Sequence, residues 1–283
     1  MHRHRFERIA IYAILISFSA VMLVPFAWMV SSSLRSEAEM FPYPPNPLSW
    51  GFWAPDPVRW ENYVNAWEAL PFTRFLRNTL IITTGRMVGE LISCSLIAFG
   101  FARLRARWRD ALFIVLLGTM MLPGQVTMIP VYILFSKIGW INTFKPFVVP
   151  AFFGAPFFVF MLRQFFLNIP MDLDEAARID GASTFQIYTR IFLPLAKPPL
   201  AVIAIFLFMG SWREFLGPLM YLQETERFTL ALGLMLFRSY GEYATRWDLI
   251  MASSIAVSLP PLILFFLTQR LIVRGVTLTG IKG

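Results

Sequence analysis

The stretch IAIYAILISFSAVMLVPFAWMV occupies residues 9–30, and none of its residues carries a charge. A helix needs about 20 mainly apolar residues to cross the hydrocarbon core of a bilayer. The basic start formed by Arg3, Arg5 and Arg8 also fits a secretory signal peptide. However, the apolar run exceeds the usual length of about 7–15 residues, and no clear small-residue cleavage site follows it. The stretch therefore predicts an uncleaved transmembrane helix.

Further apolar stretches of similar length follow along the chain. Counted with the first, the predicted spans are 9–30, 76–101, 111–135, 147–167, 199–222 and 249–268. Of the 283 residues, 57% are hydrophobic and 15% are charged, whereas a typical soluble domain has about 25% charged residues. The sequence therefore predicts an all-α integral membrane protein with six transmembrane helices in one domain, residues 1–283.

Basic residues in the short loops indicate which side of the membrane each loop faces, because Lys and Arg are concentrated in cytoplasmic loops. In the six-span topology, three basic segments lie on one side: residues 3–8, 103–109 and 270–282. We therefore expect both termini to be cytoplasmic. The net charge of +8 then reflects contact with anionic membrane lipid, and no nucleic-acid partner is expected.

The sequence offers few ligands for a metal ion or a cofactor. Cys94 is the single cysteine, so neither an internal disulfide nor a thiolate cluster can form. The two histidines, His2 and His4, both lie near the start of the chain. A P-loop needs Gly-Lys followed by Ser or Thr, and no lysine here follows a glycine. We therefore expect no catalytic residue, metal site or cofactor in this chain.

The segment between the fourth and fifth spans, residues 168–198, has strong local helix signals. It reads NIPMDLDEAARIDGASTFQIYTRIFLPLAKP. Asp172 followed by Glu175 predicts a capping box, with a helix that starts at Leu173. Gly181 can adopt the left-handed conformation that commonly ends a helix, so it is predicted to end this one.

A second short helix is predicted directly after this glycine. Ser183 followed by Gln186 forms a second capping-box pattern. Its predicted apolar face consists of Phe185, Tyr188, Ile191 and Phe192. By periodicity alone, the two helices fit either a docking element on the cytoplasmic face or an amphipathic pair at the lipid surface.

The order of residues in this segment resembles the EAA signature of permease subunits of ATP-binding-cassette (ABC) importers, in particular the MalG-type sugar permeases. The matching positions are Glu175, Ala176, Ala177, Asp180, Gly181, Ile191, Leu193 and Pro194. The similarity covers essentially the whole chain, from Arg8 to Gly283, and includes the glycine-containing ending Thr279–Gly283. The chain therefore looks like a member of the inner-membrane components of binding-protein-dependent transport systems.

This resemblance implies a function and a set of partners. In the family, the EAA helix is a coupling helix that docks on a separate ATPase subunit, so the eight matched positions would contact that ATPase. A second related permease subunit, two ATPase subunits and an extracytoplasmic substrate-binding protein would complete the importer. ATP and magnesium would bind the ATPase subunits. The substrate would be a carbohydrate, usually an oligosaccharide and less often a polyol or glycerol phosphate, and this chain would form half of its path.

Charged residues within the second predicted span form a candidate part of that path. Arg86 and Glu90 are four residues apart, so they share a helix face and can pair. A charged side chain in mid-membrane costs about 2.5–3.5 kcal/mol on insertion scales, so the pair should face protein or water. It fits either a structural ion pair between helices or a lining of the translocation path.

The fifth predicted span contains a second candidate, the run Trp212, Arg213, Glu214 and Phe215. Sugar sites combine aromatic faces with charged and polar groups. The run also fits an aromatic anchor with a salt bridge to the partner permease. MalG-type permeases commonly have Asn where Arg213 stands, so Arg213 fits an anionic substrate or an acidic residue of the partner. Gln125 and Tyr132 in the third span are further candidates.

Two other classes of function remain open from the residues. An ion-coupled secondary transporter would use the intramembrane charges at Arg86, Glu90, Arg213 and Glu214. A membrane enzyme would need acid–base or nucleophilic groups that converge at one membrane depth, and no such motif is visible. The source of energy separates the first of these from an ATP-driven importer.

Overall fold

The computed structural model describes residues 2–40, 49–239 and 246–280, with side chains for 7–40, 49–237 and 246–269. Within these ranges all regular structure is helical, as predicted. The α-helices are α1 (His2–Ser33), α2 (Glu37–Met40), α3 (Trp50–Trp53), α4 (Glu61–Ala69), α5 (Phe72–Arg103), α6 (Arg109–Thr119), α7 (Gly124–Lys137), α8 (Lys145–Val148), α9 (Pro156–Leu167), α10 (Asp172–Ile179), α11 (Thr184–Ile187), α12 (Leu193–Leu195), α13 (Lys197–Trp212), α14 (Leu216–Tyr221), α15 (Leu230–Ser239) and α16 (Trp247–Gly280). Pro150–Phe153 and Thr225–Arg227 are 3₁₀ turns, and Tyr188–Phe192 is a π-helix.

Helices long and apolar enough to cross a membrane cover four of the predicted spans. They are Glu7–Ser33, Phe72–Arg103, Lys145–Leu167 and Trp247–Gln269. Two bent pairs overlap the other two predicted spans. Arg109–Met121 with Gly124–Lys137, bent by 98°, overlaps 111–135. Thr184–Leu195 with Lys197–Trp212, bent by 73°, overlaps only residues 199–212 of the span 199–222. The described residues thus hold four spans, or up to six if each bent pair counts as one, and the number six stays a prediction.

The third and fifth predicted spans are not straight helices. In the third, Pro123 has an extended backbone immediately before α7, and a proline disfavours helical geometry in the residue before it. In the fifth, α13 ends at Trp212 and α14 begins only at Leu216. The 16 residues of α13 are about 24 Å long. The fifth predicted span, 199–222, is therefore interrupted at residues 213–215.

The chain forms two compact units, and the first comprises Met1–Thr73 and Gly233–Leu259. In this unit, hydrogen bonds connect the end of α1 to α4. The buried Asn62 side chain donates to the carbonyls of Ser33 and Arg35, at 3.0 and 2.7 Å. The Ser33 and Tyr63 hydroxyls lie 2.9 Å apart.

The second unit comprises Arg74–Leu232 and Pro260–Gly283. In it, small residues on one face of α5 allow a close approach of the segment before α9. A Cβ atom at Gly89 would lie 2.9 Å from the Phe152 ring. Four residues further along α5, the Ser93 hydroxyl donates to the Ala151 carbonyl at 2.8 Å.

The core of the second unit joins α5, α9 and the segment 168–198. Its buried residues are Cys94, Ala98, Phe99, Ala102, Val159, Leu162, Phe166, Ile169, Ile187, Tyr188, Phe192, Ala196, Ile203 and Leu207. Cys94 is fully buried, and its sulfur accepts a hydrogen bond from the Ala155 N–H at 3.2 Å. The predicted coupling segment is therefore packed on two membrane helices and extends from their core.

Candidate functional site

The first helix of the coupling segment begins earlier than predicted. Helix α10 starts at Asp172, and Met171 precedes it with a helical backbone and no capping side chain. The capping box between Asp172 and Glu175 is therefore wrong. The Met171 carbonyl accepts the N–H groups of Asp174 and Glu175, at 2.9 and 3.2 Å. Asp172 lies instead within the first turn, where its charge suits the positive end of the helix.

Gly181 ends this helix in the predicted left-handed conformation, with φ of 79°. The N–H of Ala182 bonds the Ala177 carbonyl at 2.9 Å, and the N–H of Gly181 bonds the Arg178 carbonyl at 3.0 Å. This pair of bonds is the Schellman motif, which requires a positive φ at the glycine. The prediction for Gly181 is confirmed.

The second helix begins with the predicted capping box. The Ser183 N–H donates to Oε1 of Gln186 at 2.7 Å, and the Gln186 N–H donates to the Ser183 hydroxyl at 3.3 Å. After Ile187, however, the α-helix widens into the π-helix Tyr188–Phe192. There the N–H of Leu193 bonds the Tyr188 carbonyl, five residues back.

The π-helix changes which residues form the apolar face of this second helix. Tyr188 and Phe192 are buried and Ile191 is half-buried, but Phe185 is 67% exposed. Ile187 is buried in place of Phe185, at 2% exposure. The prediction for Phe185 is wrong because a π-turn shifts the period of 3.6 residues on which it rests.

The residues that match the EAA signature divide between the surface and the core. Those exposed are Glu175, Ala176, Asp180, Gly181 and Pro194, and those half-buried against the core are Ala177, Ile191 and Leu193. Two large apolar side chains, Ile179 and Phe185, are exposed beside them, at 85% and 67%. No local sequence pattern marks Ile179, because its exposure follows from the turn at Gly181.

A cavity of about 380 Å³ lies in the second unit, and Arg86 and Glu90 are in its wall. The complete lining is Arg86, Glu90, Pro146, Phe147, Pro150, Ala151, Gly154, Ala155, Glu214, Gly217 and Tyr221. Its volume falls within the range of about 300–1,000 Å³ that is typical of small-molecule sites. The cavity, which we call the charged cavity, combines apolar walls with three charged side chains, Arg86, Glu90 and Glu214.

The predicted pair in this wall is present. Nε of Arg86 donates to Oε1 of Glu90 at 2.9 Å. The Arg86 side chain is 37% exposed, whereas that of Glu90 is 6% exposed. Among the described residues, Oε2 of Glu90 has no hydrogen-bond partner. A buried carboxylate oxygen without a partner is costly, so this oxygen is a ready acceptor for a hydroxyl group or water in the cavity.

Of the run 212–215, the structure brings only Glu214 into the charged cavity. Its Oε1 accepts the Gly217 N–H at 3.1 Å, which holds the carboxylate at the start of α14. Arg213 is exposed and lies outside the cavity lining, as does the partly exposed Phe215. Trp212 is buried, and its ring stacks on Phe208 with centroids 5.1 Å apart.

Of the two candidates in the third predicted span, only Tyr132 lies against the lining of the charged cavity. Gln125 is exposed and lies outside the cavity lining. Tyr132 stacks on Tyr221, a lining residue, with ring centroids 6.1 Å apart. Tyr221 also packs edge-on against Phe147, another lining residue, at 5.8 Å. Sequence reasoning missed both lining aromatics, because no local pattern marks which of the many aromatic residues meet across three helices.

Within the part of the chain that the structure describes, no group of three His, Cys, Asp or Glu residues is placed to hold a metal ion. The charged cavity contributes one arginine and two carboxylates. This set is suited to hydrogen bonding of polar groups against apolar and aromatic walls.

Known proteins similar to this chain are transporter subunits. The diacetylchitobiose uptake system permease protein NgcG of Streptomyces coelicolor is 30% identical over 275 residues, which covers 96% of this chain and 88% of the relative. The arabinooligosaccharides transport system permease protein AraQ of Bacillus subtilis is 30% identical, with 98% and 96% coverage. The sn-glycerol-3-phosphate transport system permease protein UgpE of Rhizobium meliloti is 31% identical, with 92% coverage of each chain.

A solved structure shares the fold. It is the crystal structure of a bacterial ABC transporter involved in the import of the acidic polysaccharide alginate, and one of its chains superposes with a TM-score of 0.84. The match covers 94% of this chain and 96% of that chain, at 23% sequence identity. Residues 94–278 match the family described as the inner membrane component of binding-protein-dependent transport systems. The chain belongs to this family of membrane permeases.

Proposed function

We propose that this chain is a permease subunit of an ATP-driven importer that takes up an oligosaccharide delivered by a binding protein. Family membership and the saccharides named for the relatives support this proposal. The observation that carries it is the charged cavity, which lies in the same compact unit as an exposed two-helix element. The first suits a polar substrate and the second suits a partner protein.

The coupling role belongs to the exposed side of the segment 168–198. Glu175, Asp180 and Gly181 would contact the ATPase subunit, with Ile179 and Phe185 as apolar anchors. Exposed apolar side chains ringed by polar ones are typical of protein interfaces. The ATPase would bind ATP and magnesium, since this chain has no P-loop. Both chain termini would lie on this cytoplasmic side, in a membrane domain of six spans.

The charged cavity would form this chain's share of the substrate path. The free oxygen of Glu90 and the Glu214 carboxylate accept sugar hydroxyl donors, and Arg86 donates to hydroxyl oxygens. Tyr221 and Phe147 present aromatic surface to the C–H faces of a sugar ring. A second permease subunit would supply the facing half of the path.

Reconstitution tests the energy source directly. The chain would be placed in vesicles with its partner permease and its ATPase pair. The binding protein and either arabino-oligosaccharides or diacetylchitobiose would then be supplied for uptake. We expect uptake that requires both ATP and the binding protein and that survives collapse of ion gradients. Uptake by the purified chain alone, driven by an ion gradient, would instead establish the secondary transporter.

Substitutions at Arg213 and Glu214 test the substrate path. Because Glu214 lines the cavity, Glu214→Gln is expected to lower transport about tenfold at saturating binding protein, which corresponds to the loss of one charged hydrogen bond of about 1.5 kcal/mol. Arg213→Asn tests the neighbouring residue by a different readout, the ranking of transported sugars. Since Arg213 lies outside the cavity, this change should leave the ranking of transported sugars intact and weaken assembly with the partner permease. A changed ranking in Arg213→Asn alone would place the substrate at Arg213.

A further inference from the structure

Arg103 is the last residue of α5, and its side chain is buried, at 2% exposure. Its guanidinium donates to the Phe166 carbonyl at 2.6 Å and also to the Ile169 carbonyl. Its central carbon lies 4.8 Å from the centre of the Phe192 ring. One side chain therefore contacts the end of α9, the start of the coupling segment and the π-helix.

The same guanidinium faces an acidic residue of the coupling helix. Asp174 on α10 is buried, and its Oδ2 lies 3.9 Å from Nε of Arg103. This distance exceeds that of a hydrogen bond. Among the described residues, neither Nε of Arg103 nor Oδ1 of Asp174 has a hydrogen-bond partner. A shift of α10 by about 1 Å toward Arg103 would convert this contact into a charge-assisted hydrogen bond.

Burial of Asp174 adds little to the folding stability of the chain at neutral pH. Desolvation raises the pKa of its carboxyl group, and the attraction of Arg103 and Arg178 opposes this only in part. A raised carboxyl pKa stabilises the folded state at low pH, and that stabilisation is lost as the pH rises through the folded-state pKa.

Helix α5 connects this contact to the charged cavity. It is continuous from Phe72 to Arg103 and contains Arg86 and Glu90. Glu90 and Arg103 are 13 residues apart, which corresponds to about 20 Å along a helix. Rigid helices of this kind can carry energetic coupling between distant sites.

We propose that Arg103 is a positioning residue that clamps coupling helix α10 to α5, so that movement of the coupling helix is transmitted along α5 to the charged cavity. The proposal rests on the proposed function for its account of coupling. The clamp consists of the carbonyl bonds, the ring contact with Phe192 and the adjustable contact with Asp174.

Variants of the clamp in the assembled importer test this proposal. Arg103→Lys keeps the charge but cannot reach both carbonyls while stacking on Phe192. We expect it to lower the number of sugar molecules imported per ATP hydrolysed by about 2- to 30-fold. The ATPase should still copurify, and Asp174→Asn should lower the ratio less. Arg105→Gln is the matched control, since it removes an exposed charge two residues away and should leave the ratio unchanged.

Hydrogen exchange gives a readout that does not depend on transport. Backbone amides of α10 should exchange faster in Arg103→Lys and in Arg103→Gln, while those of α13 keep their wild-type rates. Unchanged α10 exchange together with an unchanged import ratio would overturn the clamp. If α10 exchanges faster in the Arg103 variants but the wild-type assembly shows no ATP-driven import, the clamp is supported and the proposed function is contradicted.

Discussion

Gly181→Val is expected to uncouple the importer while leaving its membrane helices in place. Gly181 has φ of 79°, and apart from the glycine and its two chain neighbours no atom of the described residues lies within 4 Å of the position that a Cβ would take. The expected defect is therefore backbone strain alone, about 1–2 kcal/mol for a left-handed residue and more for a β-branched one. If this strain shifts the Schellman turn out of its docking geometry, ATPase binding should weaken about 5- to 30-fold.

Copurification of the ATPase and transport in vesicles measure this effect. Two control variants show whether it comes from backbone strain at this turn. Gly181→Asn should retain most activity, because asparagine tolerates the left-handed region. Gly139→Val introduces the same kind of strain outside the coupling segment, at φ of 68° and also without a clash. Normal ATPase binding in Gly181→Val, or an equal loss of ATPase binding in Gly139→Val, would contradict a docking role for this turn.

Arg86→Met is expected to destabilise the chain strongly. It would leave the buried Glu90 carboxylate without the one hydrogen-bond donor that it has among the described residues. Breaking a buried ion pair from one side costs about 3–5 kcal/mol. Because Arg86 is 37% exposed, we expect about 3 kcal/mol, measured as a lower unfolding temperature in detergent and a lower yield of folded protein.

The double variant Arg86→Met with Glu90→Met separates the two interpretations of the pair. Removing both charges should restore stability, since an apolar pair replaces an ionic one of similar volume. If the pair lines the substrate path, the double variant should fold but transport poorly. If it only joins helices, transport should recover with stability. Wild-type stability in Arg86→Met alone would contradict the argument from burial.

Local sequence patterns predicted the elements of the fold well where short-range physics decides them. The lengths of the apolar stretches predicted where the membrane-crossing helices lie. The four-residue spacing predicted the pair of Arg86 and Glu90, and the conformational freedom of glycine predicted the turn at Gly181. The bend in the third span was not predicted, because hydropathy counts apolar residues and is insensitive to their backbone geometry. The π-helix was missed for a related reason, since its extra residue per turn has no signature in composition.

The charged cavity could be predicted only in part. Glu90 and Glu214 were both singled out as intramembrane charges, but nothing in the sequence indicated that they share a wall with Tyr221. That meeting depends on the interruption after Trp212, which turns Glu214 inward and leaves Arg213 at the surface. The contacts of Arg103 with Phe166, Ile169 and Phe192 could not be predicted, because in the sequence this residue is indistinguishable from the other arginines of the basic segment 103–109.

The burial of Cys94 has a practical use in mapping the assembled importer. The only native thiol is enclosed between α5 and the segment before α9, so maleimide probes would meet no accessible native thiol in the folded chain. A cysteine introduced at Ile179, which is 85% exposed, could then be labelled selectively without first engineering a cysteine-free background. Protection of that label when the other subunits are added would footprint their contacts at single-residue resolution.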